Sequence, residues 1–261
     1  MARDFKLAFQ LYTTRNFPPQ EKVLEGLAEI GFTAVEAWLP DYGDDPKAFR
    51  KRLDDAGLIC MGIHMPFAGL VNEPQRFFDI AETLGNKPLL IPPFLMPHER
   101  PNDADGWKQI GEQLGKGAER AAAHGLRVAW HNHEFEFRLL PDATRPIDHM
   151  LAEGGSKLGF EIDFAWVKRG WADPEAELRK FAPRIMAIQI KDTAPAGTLD
   201  DQNGWRATGD GVVDWPTLWP LFETTTAEYL VVEHDRPVDW REVAQRSHDY
   251  AVLRSAALRT A

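Results

Sequence analysis

Eight short apolar runs, each of strand length and each followed by a polar or helix-forming segment, limit what this chain can become. They are LAFQLY (7–12), AVEAWL (34–39), LICMGIHM (58–65), PLLIPPF (88–94), LRVAWH (126–131), LGFEIDF (158–164), RIMAIQI (184–190) and YLVVEH (229–234). Strands that are apolar at nearly every position are covered on both faces, and strands joined by helices pair in parallel. The intervening segments carry helix punctuation. PPQEKVLEGLAEIG opens on proline, has acids in its first turn and stops at Gly31; DDPKAFRKRLDDAG repeats the arrangement and stops at Gly57. Eight such units in 261 residues predict an α/β fold, a closed (β/α)8 TIM barrel, with residues 1–261 as a single domain and the C-terminal segment as its last helix. An open doubly wound sheet is the alternative, but no glycine-rich phosphate-binding turn follows the first strand. The longest irregular stretch, 192–215, is expected to cover an active site after strand 7.

Charge and cysteine content narrow the partners. Forty acidic against 30 basic residues give a formal charge of −10, which repels a phosphate backbone and argues against nucleic acid. Cys60 is alone, so neither an intrachain disulfide nor a Cys-rich zinc site can be built. No run approaches the ~18 apolar residues of a membrane helix, and no signal-peptide pattern follows Met1. A soluble, cytoplasmic protein without membrane contact is expected, with room for a homo-oligomer.

In a parallel barrel the chemistry lies at the C-terminal strand ends, and here those ends are polar. Strand 2 carries Glu36 and strand 3 ends at His64. Strand 5 runs into His131, Asn132, His133, Glu134 and Glu136. Strand 6 delivers Glu161 and Asp163, strand 7 Gln189, Lys191 and Asp192, and strand 8 Glu233, His234 and Asp235. A lone acid at a strand end more often caps a helix or pairs with a cation. Four consecutive strands carrying such groups to one rim call for a shared partner, because isolated carboxylates are costly in an apolar barrel mouth. A divalent metal meets that need, and an oxygen-rich set suits Mn²⁺, Mg²⁺ or Co²⁺. Glu161 and Asp163, two apart, point to one side of their strand, which leaves one of them as a wall residue. Trp38, Trp130 and Trp166, at or near strand ends, are candidates to line a sugar pocket.

FQLYTTR at strand 1, WHNHEFEF at strand 5, FEIDFAWVKRGWADP at strand 6, IQIKD followed by GDGVVDW at strand 7, and VVEHD at strand 8 together resemble the sugar phosphate isomerase/epimerase proteins of the xylose isomerase-like barrel superfamily. That resemblance implies one divalent metal, held by a Glu after strand 5, an Asp after strand 6, a His after strand 7 and a Glu after strand 8. Carried over, the set is Glu136, Asp163, Gln189 and Glu233. Position 189 departs from the pattern: the chain reads Gln-Ile-Lys-Asp where relatives read His-x-Lys-Asp. An amide oxygen is a harder donor than imidazole and favours Mn²⁺ or Mg²⁺ over Co²⁺ or Zn²⁺. Strand alternation sets His131 and His133 on one side and Glu134 and Glu136 on the other, and a turn into the loop would bring Glu136 back over the barrel.

The resemblance implies proton transfer through an enediolate, as in sugar isomerases and epimerases, with Glu136 and Glu233 as the acid–base pair. His133 and Lys191 are the further catalytic candidates, His133 as a base poised near neutrality beside carboxylates. Glu36, His64, His131, Trp38 and Trp166 are expected to hold a small-molecule sugar. The same constellation supports elimination of water from an inosose or 3-keto-glycoside. A non-catalytic sugar-binding barrel is the reading from another class, motivated by Gln189.

Overall fold

Each of the eight apolar runs forms a strand. The computed structural model describes residues 3–198 and 200–260; Leu199, within the expected cover segment, and the ends of the expected domain lie outside them. The strands are β1 (Lys6–Gln10), β2 (Ala34–Trp38), β3 (Ile59–His64), β4 (Leu89–Ile91), β5 (Val128–His131), β6 (Leu158–Asp163) and β7 (Ile185–Gln189). A short antiparallel pair follows, β8 (Asp192–Thr193) and β9 (Trp205–Arg206), and then β10 (Tyr229–Val232). The barrel closes in the order β1-β10-β7-β6-β5-β4-β3-β2 with every neighbour parallel. The helices end where the sequence punctuates them. Gln20–Ile30 stops at Gly31 (φ 119°) and Pro46–Ala56 at Gly57 (φ 71°), backbone conformations that a side chain would strain. Helix Trp240–Thr260 is the last, and Trp240 meets Phe9 of β1 edge to face.

Alternation along the strands builds two cores. Outward residues such as Phe9, Val35, Leu90, Trp130, Phe160 and Ile188 join the helix-packing core. Inward, Ala8, Ala34, Met61, Leu89, Ile91, Ala187 and Val231 form an apolar floor. Above this floor the barrel turns polar. The register pairs Gln10 with Glu36, His131 with Glu161, and Asp163 with Gln189. Register shifts occur immediately before Glu36 and before Glu161; such irregularities re-aim side chains. Glu161 offers a ligand atom beside those of His64 and His131, and Asp163 beside those of His131 and Glu233, so both face the barrel interior and neither is an outer wall residue.

Candidate active site

The mouth of the barrel opens into a cavity of about 670 Å³. Its lining includes Tyr12, Trp38, His64, Phe94, His131, His133, Trp166, Lys191, Glu233 and Asp235. Asn132 fixes the strand ends beneath it: its side chain donates to the Asp163 carbonyl (3.1 Å) and accepts from the Asp163 amide (2.9 Å). Asp163 in turn accepts from the Trp166 amide through Oδ1 (2.9 Å), starting the short helix Phe164–Arg169, while its Oδ2 is buried with no hydrogen-bond partner.

Three side chains converge at this point. His131, Asp163 and Glu233 each offer a ligand atom, and these atoms all lie within 4.8 Å of one another. Gln189, next to Asp163 in the register, leaves its Oε1 buried and unpartnered and donates from Nε2 to Glu36 (3.3 Å). Lys191 supplies the local positive charge. Its Nζ lies 2.9 Å from Glu233 Oε2, 2.5 Å from Asp235 Oδ1 and 3.8 Å from Asp163 Oδ2, and over the rings of Trp166 and Trp205 at 4.9 and 4.2 Å. Burial opposes the charge on Lys191, but Asp235, Glu233 and Asp163 outweigh it and hold the ammonium protonated. Burial pushes the Asp163 carboxyl up to about 8, and it also raises Glu233 although Lys191 pulls the other way.

Glu136 is not part of this group. The chain leaves β5 at His131 and turns into a short helical segment, Phe135–Phe137. There the Glu136 carboxylate accepts from Trp130 Nε1 (3.0 Å) and from the His133 amide (2.9 Å). Trp130 points to the helix layer, so the carboxylate it binds lies outside the barrel interior, and His131 takes the strand 5 place in the cluster. The turn into the loop therefore does not return Glu136 over the barrel, and Trp130 is fully buried rather than lining the pocket. His133 does line the cavity, its ring 5.0 Å from that of Trp166. It is not poised near neutrality: burial, then the nearby Lys191 charge, push it down to about 3, so the ring is neutral. Trp38 and Trp166 line the cavity.

Glu36, on β2, and His64, on β3, form a neighbouring pair, of which His64 also lines the cavity. His64 Nε2 is 2.8 Å from Glu36 Oε1, and Tyr42 donates to the His64 carbonyl (2.7 Å). Burial works against a charged His64, yet Glu36 and Glu161 prevail and push it up to about 10. Four participants went unassigned in the sequence. Glu161 and Asp235 were named among the polar strand ends, and Glu161 was set on the side of Asp163 by alternation, but neither was given a role; Asp235 follows from Glu233 by the same rule. Gln10, which donates to Glu36 (2.5 Å), was visible as a polar residue inside the apolar run LAFQLY. Trp205 arrives on the 192–215 segment, from which no periodic signal could have placed it.

Residues 24–255 match the family model described as xylose isomerase-like TIM barrel. Among curated proteins, the rhizopine catabolism protein MocC of Rhizobium meliloti is 27% identical over 143 residues, 50% of this chain and 43% of that protein; the match thus spans less than half of the relative. An inosose dehydratase of Klebsiella pneumoniae is 23% identical over 250 residues, 83% of this chain and 82% of that one. Among solved structures, a sugar phosphate isomerase/epimerase from Parabacteroides distasonis superposes with a TM-score of 0.81 at 22% identity, covering 97% of this chain and 94% of that chain. The IOLI protein with a bound zinc atom gives 0.77 at 18% identity (97% and 99% covered). A barrel from Mycobacterium smegmatis in complex with magnesium gives 0.74 at 16% (98% and 99%).

Proposed function

Because the chain belongs to the xylose isomerase-like TIM barrel family, we propose that it is an enzyme that moves a proton at the carbon next to the carbonyl of a sugar or sugar-derived ketone. The observation that carries this reading is the convergence of His131, Asp163 and Glu233 beside a charged Lys191, at the floor of a cavity large enough for a small cyclic substrate. The likeness to an inosose dehydratase and to a sugar phosphate isomerase/epimerase supports the substrate class.

The family implies a divalent ion, and relatives of this fold hold zinc or magnesium. The donor set fits one: three ligand atoms lie within 4.8 Å of one another, and Asp163 Oδ2 and Gln189 Oε1 are buried without a hydrogen-bond partner. His131, Asp163 and Glu233 would hold it, with Gln189 Oε1 as a further donor. Such an ion supplies polarisation of the substrate carbonyl, which acidifies the neighbouring C–H. Glu233 is the proton acceptor, since burial raises the proton affinity of its carboxylate. Lys191, anchored by Asp235, donates a hydrogen bond to a substrate oxygen at a fixed position. Neutral His133 offers a ring nitrogen with no partner, Nδ1, to a substrate hydroxyl. Tyr12, Trp38 and Trp166 supply aromatic surface for the C–H faces of the ring.

Elimination of water is the second reading, and the position of Glu136 favours it. Epimerisation asks for a base on each face of the substrate. Removing Glu136 from the mouth, and lowering His133, leaves Glu233 as acceptor on one face, beside an ammonium that can hydrogen-bond a departing hydroxyl. Incubating the protein and Mn²⁺ in ²H₂O with ketoses, inososes and 3-keto-glycosides tests both. Deuterium at the carbon next to the carbonyl, lost in Glu233→Gln, is expected. Exchange accompanied by an isomer of the same elemental formula marks isomerisation or epimerisation, and loss of water marks dehydration. Binding without exchange across the panel would leave the sugar-binding barrel as the correct reading.

A further inference from the structure

The two sides of the cavity differ in chemistry. Around the closed barrel β2, β3 and β4 stand opposite β6, β7 and β10. The loops after β6, β7 and β10 bring Trp166, Lys191, Glu233 and Asp235 to the mouth, whereas the ends of β2, β3 and β4 bring Leu39, Met65, Phe67, Pro93, Phe94 and Met96. Among the described residues only His64 and Glu99 are ionisable in the lining of that second half, and the Glu99 carboxylate is taken up by the Met96 amide (2.7 Å). Phe94 and Met96 are 37% and 51% exposed. Apolar side chains open to water inside a cavity mark a surface that a ligand covers.

This wall is held in place before anything binds. The Arg100 guanidinium lies 4.9 Å from the Phe94 ring, and the His133 ring meets Phe94 edge to face at 5.2 Å. Arg100 Nε donates to the Leu95 carbonyl (2.9 Å), the Glu99 amide donates to the Met96 carbonyl (2.8 Å), and prolines at 93 and 97 fix the backbone on either side. A preformed wall loses little entropy when a ligand arrives. It is also continuous with the reacting groups. Lys191 Nζ is 4.9 Å from the Trp166 ring, Trp166 is 5.0 Å from His133, and His133 is 5.2 Å from Phe94, so a row of rings crosses the mouth from the ammonium to the loop after β4. The cavity, about 670 Å³, is of the ~300–1,000 Å³ size that holds drug-sized ligands, more than one sugar ring needs. The two cationic side chains of the lining, Lys191 and His64, are each held by carboxylates, so a phosphorylated sugar finds no free cation there, while a neutral apolar group finds a surface ready for it.

We propose that the substrate is a keto-sugar carrying an aromatic substituent, an aryl keto-glycoside, whose sugar ring lies at Lys191 and Glu233 and whose aglycone covers Phe67, Phe94 and Met96. An aglycone subsite rests on the reading of the mouth as a keto-sugar site and extends it to the group attached to the ring. Phe94 offers an aromatic ring for a flat aglycone to stack on or meet edge to face, and the unbranched Met96 thioether adapts to its outline.

Calorimetric titration with methyl and phenyl 3-keto-glucosides, with and without Mn²⁺, compares two aglycones on one sugar. It is made in Glu233→Gln, where no turnover intervenes. The phenyl compound should bind more tightly by roughly tenfold, about 1.4 kcal/mol, and adding Phe94→Ala or Met96→Gln should bring the two affinities severalfold closer. Both side chains are exposed, so the added substitutions should leave the melting temperature near that of Glu233→Gln. Deuterium exchange on the same two compounds, catalysed by the unsubstituted protein, distinguishes failure of the subsite from failure of proton transfer. Exchange on both compounds with equal affinities overturns the aglycone subsite and leaves proton transfer standing. Tighter phenyl binding that weakens in both variants, without exchange, keeps the subsite and overturns proton transfer. A phenyl preference that survives both substitutions overturns the subsite, because the aglycone would then lie elsewhere. Equal affinities together with a dimer on gel filtration that Phe94→Ala dissociates overturn it as well and give the wall to a second copy of the chain. Binding of neither compound overturns both.

Discussion

Asp163 and Asp192 follow neighbouring strands and both are fully buried, but they are surrounded differently. Asp192 accepts five N–H groups: the amides of Thr193 (2.8 Å) and Val213 (3.2 Å) through Oδ1, and those of Gly209 (3.0 Å) and Gly211 (3.1 Å) with Trp215 Nε1 (2.8 Å) through Oδ2. It gathers the 192–215 segment around itself. Asp163 uses one oxygen to start a helix, and its other oxygen accepts no hydrogen bond, the Lys191 ammonium standing 3.8 Å away. Burial alone therefore does not mark a functional carboxylate. The useful sign is a buried oxygen that the protein's own N–H groups leave bare, since such an atom is costly unless a ligand serves it. By this criterion Glu136 stands with Asp192, and Glu161 with Asp163.

The widest test of that division is Asp163→Asn. It should abolish tight metal binding and lower turnover by ~10³-fold or more, about 4 kcal/mol of transition-state stabilisation, yet change the stability of the metal-free protein by only ~1 kcal/mol. Parallel activity assays and metal-free urea titrations decide it. A large stability loss with activity retained per folded molecule would place Asp163 among the structural acids. Asp192→Asn should do the reverse. Its side-chain NH₂ turns toward N–H donors, leaving several without an acceptor, at a cost of about 3 kcal/mol or more. For a chain of this size that lowers the melting temperature by roughly 6–12 °C, and a calorimetric scan would show it.

Glu136→Gln should cost less, about 1–2 kcal/mol, because one amide oxygen replaces two accepting carboxylate oxygens. The cost should depend on pH. Burial raises the Glu136 carboxyl well above its ordinary 4.5, against the N–H bonds from its own amide, His133 and Trp130. A raised acid contributes stability that is complete below 4.5 and is lost as the pH climbs toward the raised value. Glutamine has no such dependence, so the parent's advantage should be greatest near pH 5 and shrink toward pH 8. Chemical denaturation at both pH values measures it. An advantage that grows with pH would mean the N–H bonds outweigh burial. Activity per folded molecule should stay within about threefold of the parent; a large loss would return Glu136 to the catalytic machinery.

The contrast between the two kinds of acid also explains how much was legible beforehand. The eight strands and the C-terminal helix were readable because apolar runs and Pro/Gly punctuation are local signals, and closure follows from parallel pairing of eight units. Asp163 and Glu233 were readable because the one ends β6 and the other directly follows β10, where alternation predicts direction. Glu136 lies five residues past β5, in a turn where alternation no longer applies; whether it faced the mouth depended on the Trp130 indole, a contact invisible in sequence. His131 was readable as a site residue, but its place in the ligand cluster depended on that same turn. Trp205 reached Lys191 only through the pairing of β8 with β9 and the Asp192 network.

Gln189 stands beside Asp163 and reaches Glu36, and replacing it produces the smallest of these effects. Its Nε2 donates to Glu36 below while its Oε1 is bare above, so it shares features of both kinds of side chain. In Gln189→His a neutral imidazole, a better donor to late transition metals than an amide oxygen, should tighten Zn²⁺ or Co²⁺ binding by about tenfold, roughly 1.4 kcal/mol, and reduce the relative preference for Mn²⁺. The stability of the metal-free protein should change little, because the Nε2 to Glu36 contact, at 3.3 Å, is long. Titrating parent and variant with Mn²⁺ and Co²⁺ gives the preference directly, and thermal stabilisation on adding metal gives an independent reading of the same affinities. Unchanged preference in both measurements would mean that the bare oxygen of Gln189 serves no ion. Gln189 would then be a brace for Glu36, and the metal site would rest on His131, Asp163 and Glu233 alone.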